Sequence, residues 1–254
     1  MAYPILLFLV GLVAGTLGAL LGLGGGAIIV PCLALIPYFH LTMHEAIAAS
    51  IVGVLMTSLG GSARYIDEGL TDLRLGMLLA LGATTGAVLG SLASHAIKDS
   101  ILEMLFSVII VYASFEMIRR RSPADTGPGD YRHYATGITL TGVSGIVAGM
   151  LGVGGGAINV PVMHLIMGVP VKITTATSNF MIGATASAAV LVYLLRGSIN
   201  FSVAVPVGLG VFIGAKLGAS RLKTIDAVLL KRIFAVMLLI IAAEMLYQAM
   251  RASL

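Results

Sequence analysis

Long apolar stretches separated by short polar breaks dominate the pattern of hydrophobic and polar positions along this chain. From Ala2 to Phe39 there is no Asp, Glu, Lys or Arg. A stretch of this length accommodates one membrane crossing of about 20 residues and a shorter second segment. The pattern therefore predicts helices that cross a lipid bilayer.

The same pattern divides the chain into ten apolar segments, five in each half. They cover residues 2–21, 27–39, 45–65, 73–97 and 101–117, and then 134–151, 157–167, 174–195, 201–221 and 229–250. The second segment of each half has only 13 or 11 residues. Because a crossing needs about 17 to 25 residues, this segment is expected to reach part-way or to cross a locally thin region.

The two halves are copies of one helical unit. Residues 15–31 align with residues 145–161, and ten of these 17 positions are identical. Further along, the register holds at a spacing of 128 residues, so that Tyr65 pairs with Tyr193. We therefore divide the chain into a first membrane repeat (1–118), a linker (119–133) and a second membrane repeat (134–254), the two repeats forming one domain.

Composition and charge agree with a membrane protein and exclude several other classes. Apolar residues make up 58% of the chain and charged residues 10%, whereas a soluble domain has about 25% charged residues. The net charge of +4 comes from basic residues at segment ends, which favours basic cytoplasmic loops over nucleic-acid binding. Cys32 is the only cysteine, so no internal disulfide forms, and we interpret it as a buried, inert thiol.

The distribution of basic residues predicts the orientation of the repeats. The linker is basic and therefore cytoplasmic, with Arg119, Arg120, Arg121, Arg132 and His133. If the first two segments of each repeat form a hairpin, each repeat crosses the membrane an odd number of times. The repeats must then be inverted, with both termini outside and the basic loop at 221–232 inside. We predict an all-α fold of two inverted-topology repeats, each a glycine-broken hairpin followed by three spanning helices.

A glycine motif interrupts the hairpin of each repeat. Residues 22–27 read Gly-Leu-Gly-Gly-Gly-Ala, and residues 152–157 read Gly-Val-Gly-Gly-Gly-Ala. A dinucleotide fingerprint would need a preceding strand and an acidic residue about 20 positions later, which a hydrophobic span does not offer. Two interpretations remain: close helix packing, or a helix break whose free N–H groups bind an anion. The candidate residues are Gly24, Gly25, Gly26, Ala27, Gly154, Gly155, Gly156 and Ala157.

Polar residues at membrane depth extend the candidate anion site. They are Asn159, Ser50, Thr177, Ser178 and Asn179. The alternative for the hydroxyls is a hydrogen bond to their own helix backbone, which is the commoner fate of a single Ser or Thr. Lys216 either approaches the anion pathway or extends to the membrane interface. We predict an asymmetric site, with more amide and hydroxyl groups on the side of the second repeat.

These residues resemble the TauE/SafE family of sulfite and organosulfonate transporters over nearly the whole chain. The matching elements are the doubled Gly-x-Gly-Gly-Gly…Pro motif, Ala-Thr-Ser at 176–178 and Arg-Gly-Ser-Ile-Asn at 196–200. The first repeat departs from the pattern, with Asp67-Glu68-Gly69 in place of Arg-Gly and Ala48-Ala49-Ser50 in place of Ala-Thr-Ser. The resemblance implies a transporter of sulfur-containing anions, often the products of sulfonate degradation.

The predicted function is alternating-access transport of a small anion, such as sulfite or a sulfonate, across a bacterial inner membrane. The alternatives are an anion channel and a membrane protein with a structural or assembly role. No catalytic group, metal or cofactor is predicted, because the sequence offers no His/Cys/Asp/Glu cluster or nucleophile–base pair. The expected partners are the anion and the bilayer, without nucleic acid; a coupling proton or counter-ion and a homo-oligomer are left open.

Overall fold

The computed structural model describes residues 2–39, 41–119 and 134–222, together with residues 239 and 243. These residues form helices and no strands, which confirms the prediction of an all-α membrane protein. The helices are α1 (Ala2–Leu21), α2 (Gly26–Leu35), α3 (Met43–Asp67), α4 (Leu73–Ser94), α5 (Asp99–Arg119), α6 (Tyr134–Leu151), α7 (Gly156–Pro161), α8 (Val171–Leu195) and α9 (Phe201–Arg221). Except for residues 239 and 243, the predicted segment 229–250 lies outside the described residues, as does the linker beyond Arg119.

Six of the described helices are long and apolar enough to cross a membrane. They are α1, α3, α4, α6, α8 and α9. Their lipid-facing surfaces carry large apolar side chains, such as Leu81 and Leu209, which are more than half exposed. Because a bilayer surrounds these surfaces with hydrocarbon, such exposure costs no hydrophobic free energy. The protein is a multi-pass membrane protein.

The second segment of each repeat is shorter in the structure than the sequence predicts. Helix α2 ends at Leu35 and is followed by a 3-10 turn at Pro37–Phe39. Helix α7 has only six residues and continues as a π-helical turn at Val162–Ile166. Each short helix contains a proline, Pro31 or Pro161. Proline lacks an N–H group, so it removes one hydrogen bond from the helix and weakens it there.

The two repeats pack through glycine-lined helix contacts. Helix α1 lies against α9, and α6 lies against α4. A Cβ atom at Gly86 of α4 would lie 2.1 Å from the carbonyl oxygen of Gly142, and one at Gly214 of α9 would lie 2.1 Å from that of Leu12. Only glycine allows backbones to approach this closely in lipid. The glycine ladders at 82, 86 and 90 and at 210, 214 and 218 are therefore packing faces.

Helices α3 and α8 form the centre of the molecule and run in opposite directions. Tyr65, near the end of α3, packs against Ala176 near the start of α8. At the opposite end of the molecule, His95 links the two helices, because its ring is 6.2 Å from that of His44 at the start of α3 and 5.0 Å from that of Tyr193 near the end of α8. Helix α3 of the first repeat and its counterpart α8 in the second are therefore antiparallel.

Candidate functional site

Both glycine motifs form loops that only glycine can adopt without strain. In the first loop Gly22, Gly24 and Gly25 have φ angles of 69°, 86° and 75°. In the second, the equivalent residues at 152, 154 and 155 have φ angles of 70°, 89° and 71°. Side chains with a Cβ rarely tolerate such angles. The helix is broken after Leu21 and after Leu151, as the helix-break interpretation predicts.

The two loops pack against each other through their backbones. A Cβ atom at Gly26 would lie 2.0 Å from the carbonyl oxygen of Gly152. Reciprocally, a Cβ atom at Gly156 would lie 2.1 Å from the carbonyl oxygen of Gly22. The motifs thus serve close packing as well as the helix break, so the two interpretations of the sequence are compatible. Reciprocal contacts of this kind arise when two copies are related by a two-fold axis.

The loops lie at mid-length of the two central helices. A Cβ atom at Gly24 would lie 3.2 Å from Val54 of α3 and 3.3 Å from Ile182 of α8, and one at Gly154 would lie 2.9 Å from Val54. Val54 and Ile182 occupy the same place in the repeats, each the twelfth residue of a 25-residue helix. Helices of this length cross the whole membrane, so the loops lie near its middle.

The start of each short helix presents backbone N–H groups that have no backbone partner among the described residues. Within the described residues, the N–H groups of residues 25–27 and 155–157 donate to no backbone carbonyl. The predicted site residues Ala27 and Ala157 lie in these first turns and are 2% and 5% exposed. Buried N–H groups without partners are rare in proteins. Together with the positive end of the helix dipole, they form an arrangement that suits an anion.

Hydroxyl groups from the central helices hold the loops in place across the repeats. Ser50 of α3 donates to the carbonyl oxygen of Gly152 at 2.9 Å, and Ser178 of α8 donates to that of Gly22 at 2.9 Å. Within the repeats, Thr57 donates to Gly24 at 3.0 Å. In the second loop, Ser144 of α6 donates to the carbonyl oxygen of Gly155 at 2.8 Å. Because their protons are used in this way, Ser50 and Ser178 shape the site rather than offer it donors.

The two predicted asparagines are buried, and each carries an unpaired oxygen. Asn159 of α7 is 1% exposed and Asn179 of α8 is fully buried. Asn179 donates from Nδ2 to the carbonyl oxygen of Ala19 at 3.2 Å. Neither Oδ1 atom has a hydrogen-bond partner in the described part of the chain. Since unpaired buried polar groups cost free energy, they mark candidate contacts for a ligand or water.

The structure places the predicted site residues in two separate positions. Gly155 and Asn159 are close together, because a Cβ atom at Gly155 would lie 3.4 Å from Nδ2 of Asn159. Thr177 instead lies towards the start of α4, where its Oγ1 accepts a hydrogen bond from the N–H group of Asp72 at 3.0 Å. Thr177 thus joins the repeats, and no contact brings it to the glycine loops.

The sequence of this chain matches a known family of membrane proteins. The family model described as "Sulfite exporter TauE/SafE" matches residues 7–245. The chain belongs to the TauE/SafE family. It is 27% identical over 266 residues to the probable membrane transporter protein YunE of Bacillus subtilis, which covers 96% of this chain and 97% of that protein. A probable membrane transporter protein of Xylella fastidiosa (strain Temecula1) is 26% identical over 95% of this chain and 92% of its own length.

No solved structure matches the chain. The family and its relatives identify the protein as a membrane transporter of the TauE/SafE family. Transport agrees with broken helices at mid-membrane, because irregular backbone at this depth is tolerated only where it is buried in protein or lines a polar cavity.

Two tyrosines that the sequence alone did not mark as site residues complete the site of this TauE/SafE protein. Tyr65 donates to the carbonyl oxygen of Ala19 at 2.9 Å, and Tyr193 donates to that of Gly149 at 3.2 Å. Both side chains are fully buried. Each binds the last turn of the helix that precedes a glycine loop. Their equivalent positions in the repeats, 128 residues apart, were the signal that could have revealed this.

A void beside the second glycine loop is too small for an oxyanion. A void of about 10 Å³ lies next to Gly154, among side chains that include Ile51, Val54 and Ala189. This volume is at the lower limit for one water molecule. A groove of about 1200 Å³ lies elsewhere, between α4 and α8, but its lining is mostly apolar. An anion could therefore enter this void beside Gly154 only after the helices move.

Lys216 is placed away from the loops. It is exposed, and its Nζ lies 5.0 Å from the centre of the Phe212 ring on its own helix. Of the two alternatives that the sequence left open, the structure favours extension along the protein surface.

Replacement of Ser178 by alanine is expected to destabilise the protein by about 1 to 3 kcal/mol. The change removes the donor to Gly22 and leaves this buried carbonyl oxygen without its partner. The matched control is Ser187→Ala, because Ser187 is exposed and donates only to Gly183 in its own helix at 2.7 Å. Thermal unfolding in detergent measures both variants, and equal midpoints would contradict the structural role of Ser178.

Proposed function

We propose that this protein carries sulfite, a sulfonate or a related sulfur oxyanion across the bacterial inner membrane by alternating access. The observation that supports this most directly is the meeting of two helix N-termini at mid-membrane, with free N–H groups at residues 25–27 and 155–157. N–H donors stabilise a negative charge without the cost of burying a cation. The family's description as a sulfite exporter favours sulfur oxyanions among possible anions.

Asn159 supplies the side-chain contact in this proposal. It lies beside Gly155, at the start of the short helix of the second repeat. The equivalent position of the first repeat holds Ile29, which is fully buried and apolar. A carboxamide can direct either its oxygen or its amino group at a ligand. The anion would therefore lie closer to the second repeat than to the first.

Movement of the repeats against each other would open the site. In this proposal the small volume of the void beside Gly154 corresponds to a closed state of the site. The antiparallel course of α3 and α8 and the basic linker support inverted repeats with the linker in the cytoplasm. In this orientation the start of α3 and the end of α8 face the outside.

Purified protein reconstituted into vesicles tests the proposal. We expect saturable uptake of at least one anion among sulfite, sulfoacetate, thiosulfate and taurine. Gly155→Leu should abolish uptake, because a side chain at φ 71° is strained and a Cβ atom would lie 3.1 Å from Oγ of Ser144. Flux that grows without saturation would indicate a channel instead. If wild type moves none of these anions, the proposal is wrong.

A further inference from the structure

A cluster of titratable residues lies at one end of the protein, away from the glycine loops. His44 at the start of α3 pairs through Nδ1 with the carboxylate of Asp99 at the start of α5. The other ring nitrogen of His44, Nε2, lies 3.0 Å from the carbonyl oxygen of Ser94 at the end of α4. The side chains of His44 and Asp99 are 29% and 40% exposed, so they exchange protons with water at this end.

Both ring nitrogens of His44 face groups that only accept hydrogen bonds. A carboxylate and a backbone carbonyl offer no proton. A neutral imidazole carries one N–H and therefore cannot satisfy both partners while Asp99 is ionised. One extra proton, carried either by the imidazole or by the carboxyl group of Asp99, satisfies both contacts at once. The geometry is that of a proton-loaded His44–Asp99 pair.

The neighbouring His95 does not require an extra proton. Its Nδ1 lies 3.1 Å from the carbonyl oxygen of Ser91, and its Nε2 lies 2.9 Å from Oγ of Ser198. A hydroxyl can donate as well as accept, so neutral His95 satisfies both contacts. Since two charged rings 6.2 Å apart would repel each other, the extra proton belongs to the His44–Asp99 pair.

Hydrogen bonds connect this pair to the closed end of the transporter. The Oγ atom of Ser94, whose carbonyl oxygen faces His44, lies within hydrogen-bond distance of the Tyr193 hydroxyl, at 3.0 Å. The same tyrosine donates to Gly149, three residues before the second glycine loop. Tyr193 belongs to the second repeat and Ser94 to the first. The contact between the repeats at this end thus includes Ser94, the residue whose carbonyl oxygen faces His44.

We propose that His44 and Asp99 form a proton-binding site whose loading closes this end of the protein and whose release favours opening. Loss of the proton leaves the Nε2 lone pair of His44 facing the carbonyl oxygen of Ser94, so the contact becomes repulsive. The closed arrangement therefore binds the proton more tightly than the open one, and acid on this side favours closure.

The charged groups around His44 and Asp99 do not take over the binding of the proton. Among the described residues, the other titratable or charged groups nearby are Glu45 on α3, His95 at the end of α4, Lys98 before α5, Glu103 on α5, and Tyr193 and Arg196 at the end of α8. Glu45 is already bound to Thr42 in a capping box. In the described residues, no group of three or more His, Cys, Asp and Glu side chains could hold a metal ion. A proton is therefore the ligand that the geometry favours.

The second repeat carries permanent cations where the first carries these histidines. At the spacing of 128 residues, His44 corresponds to Lys172 and His95 to Lys223. Histidine ordinarily changes its charge between about pH 5 and pH 8, whereas lysine stays charged throughout this range. The comparison assigns the proton-dependent contact to one end of the molecule alone.

Thiol labelling tests this inference independently of transport. Ala189 of α8 lines the small void beside Gly154 and is 2% exposed. Ala189→Cys in a Cys32→Ser background should react with a water-soluble thiol reagent only when this end opens. We expect labelling at about pH 5.5 to be about tenfold slower than in the same protein carrying His44→Gln. Variants are compared at equal pH, because the reactivity of the thiol itself changes with pH.

A second variant separates protonation from simple loss of structure. His44→Lys reproduces the residue of the second repeat and supplies a permanent positive charge. It should label slowly at every pH, whereas His44→Gln and Asp99→Asn should label rapidly at every pH. The matched control is His133→Gln in the linker, which should keep the pH dependence of the parent. The proposal is overturned if His44→Gln keeps that dependence, or if all three cluster variants behave alike.

The inference rests on the proposed function only for its consequence in transport. In vesicles, acid on the side of this end should slow anion flux in wild type but not in His44→Gln, at equal anion concentration. Labelling that depends on His44, together with no flux of any tested anion, would overturn the proposed function and leave the proton site standing. Flux without His44-dependent labelling would overturn the proton site and leave the proposed function standing.

Discussion

Adding a single methyl group at Gly156 is expected to prevent stable folding. In Gly156→Ala the new Cβ would lie 2.1 Å from the carbonyl oxygen of Gly22 and 2.7 Å from Cα of Leu23. Both are backbone atoms, so the clash cannot be relieved by a side-chain rotation. The loops would have to separate, and we expect a loss of about 3 kcal/mol or more, at the upper end for overpacked cores. Thermal unfolding in detergent and the yield of monodisperse protein measure this.

Gly142→Ala is the matched control for this prediction. Gly142 lies in α6, and a Cβ atom there would lie 3.5 Å from the carbonyl oxygen of Gly82, an ordinary contact. Alanine also favours helix over glycine by about 1 kcal/mol, so this variant should be as stable as wild type or more stable. If Gly156→Ala unfolded at the same temperature as Gly142→Ala, the close packing of the two glycine loops through their backbones would be refuted.

Asn159→Ile is expected to abolish most transport while the protein stays folded. Isoleucine is the residue at the equivalent position of the first repeat, and the Oδ1 atom of Asn159 has no partner in the described residues. Removing an unpaired buried polar group costs the fold nothing and can stabilise it. If Asn159 binds the anion, the loss of one hydrogen bond to a charged group should lower uptake by about 10- to 100-fold.

A control asparagine should show the opposite pattern. Asn200 caps α9, where its Oδ1 accepts from the N–H group of Ser202 at 3.1 Å. Asn200→Ala should lower stability by about 1 kcal/mol and leave uptake per folded molecule unchanged. Uptake in vesicles and unfolding in detergent, measured on both variants, separate the two roles. Normal uptake by Asn159→Ile would exclude this residue from the anion site.

Asn159→Ile and Gly155→Leu together discriminate between side-chain and backbone contributions to the proposed site. The N–H groups at residues 25–27 remain in both variants, because neither change touches the first loop. Uptake that survives Asn159→Ile but is lost in Gly155→Leu would indicate that backbone groups bind the anion without help from the carboxamide. The site would then be nearly symmetric, contrary to the asymmetry expected from the sequence.

The sequence alone determined the membrane class, the duplication and the position of the helix breaks. Apolar segments of about 20 residues leave few alternatives to a membrane helix. The ends of α1 and α6 agree with the predicted segments because Gly22 and Gly152 follow directly, and α9 ends at the charged residue Arg221, as predicted. The prediction was less accurate for the short helices α2 and α7, where local 3-10 and π-helical turns depend on how the chain packs around Pro31 and Pro161.

Only the tertiary structure decided which partners the polar residues have. Ser50 and Gly152 are 102 residues apart, and Ser178 and Gly22 are 156 apart, so no local pattern reveals that these hydroxyls hold the loops. The His44–Asp99 pair likewise joins two helices that are distant in sequence. Hydrophobic periodicity records which residues avoid water, whereas the direction of each hydrogen bond depends on how helices from both repeats pack.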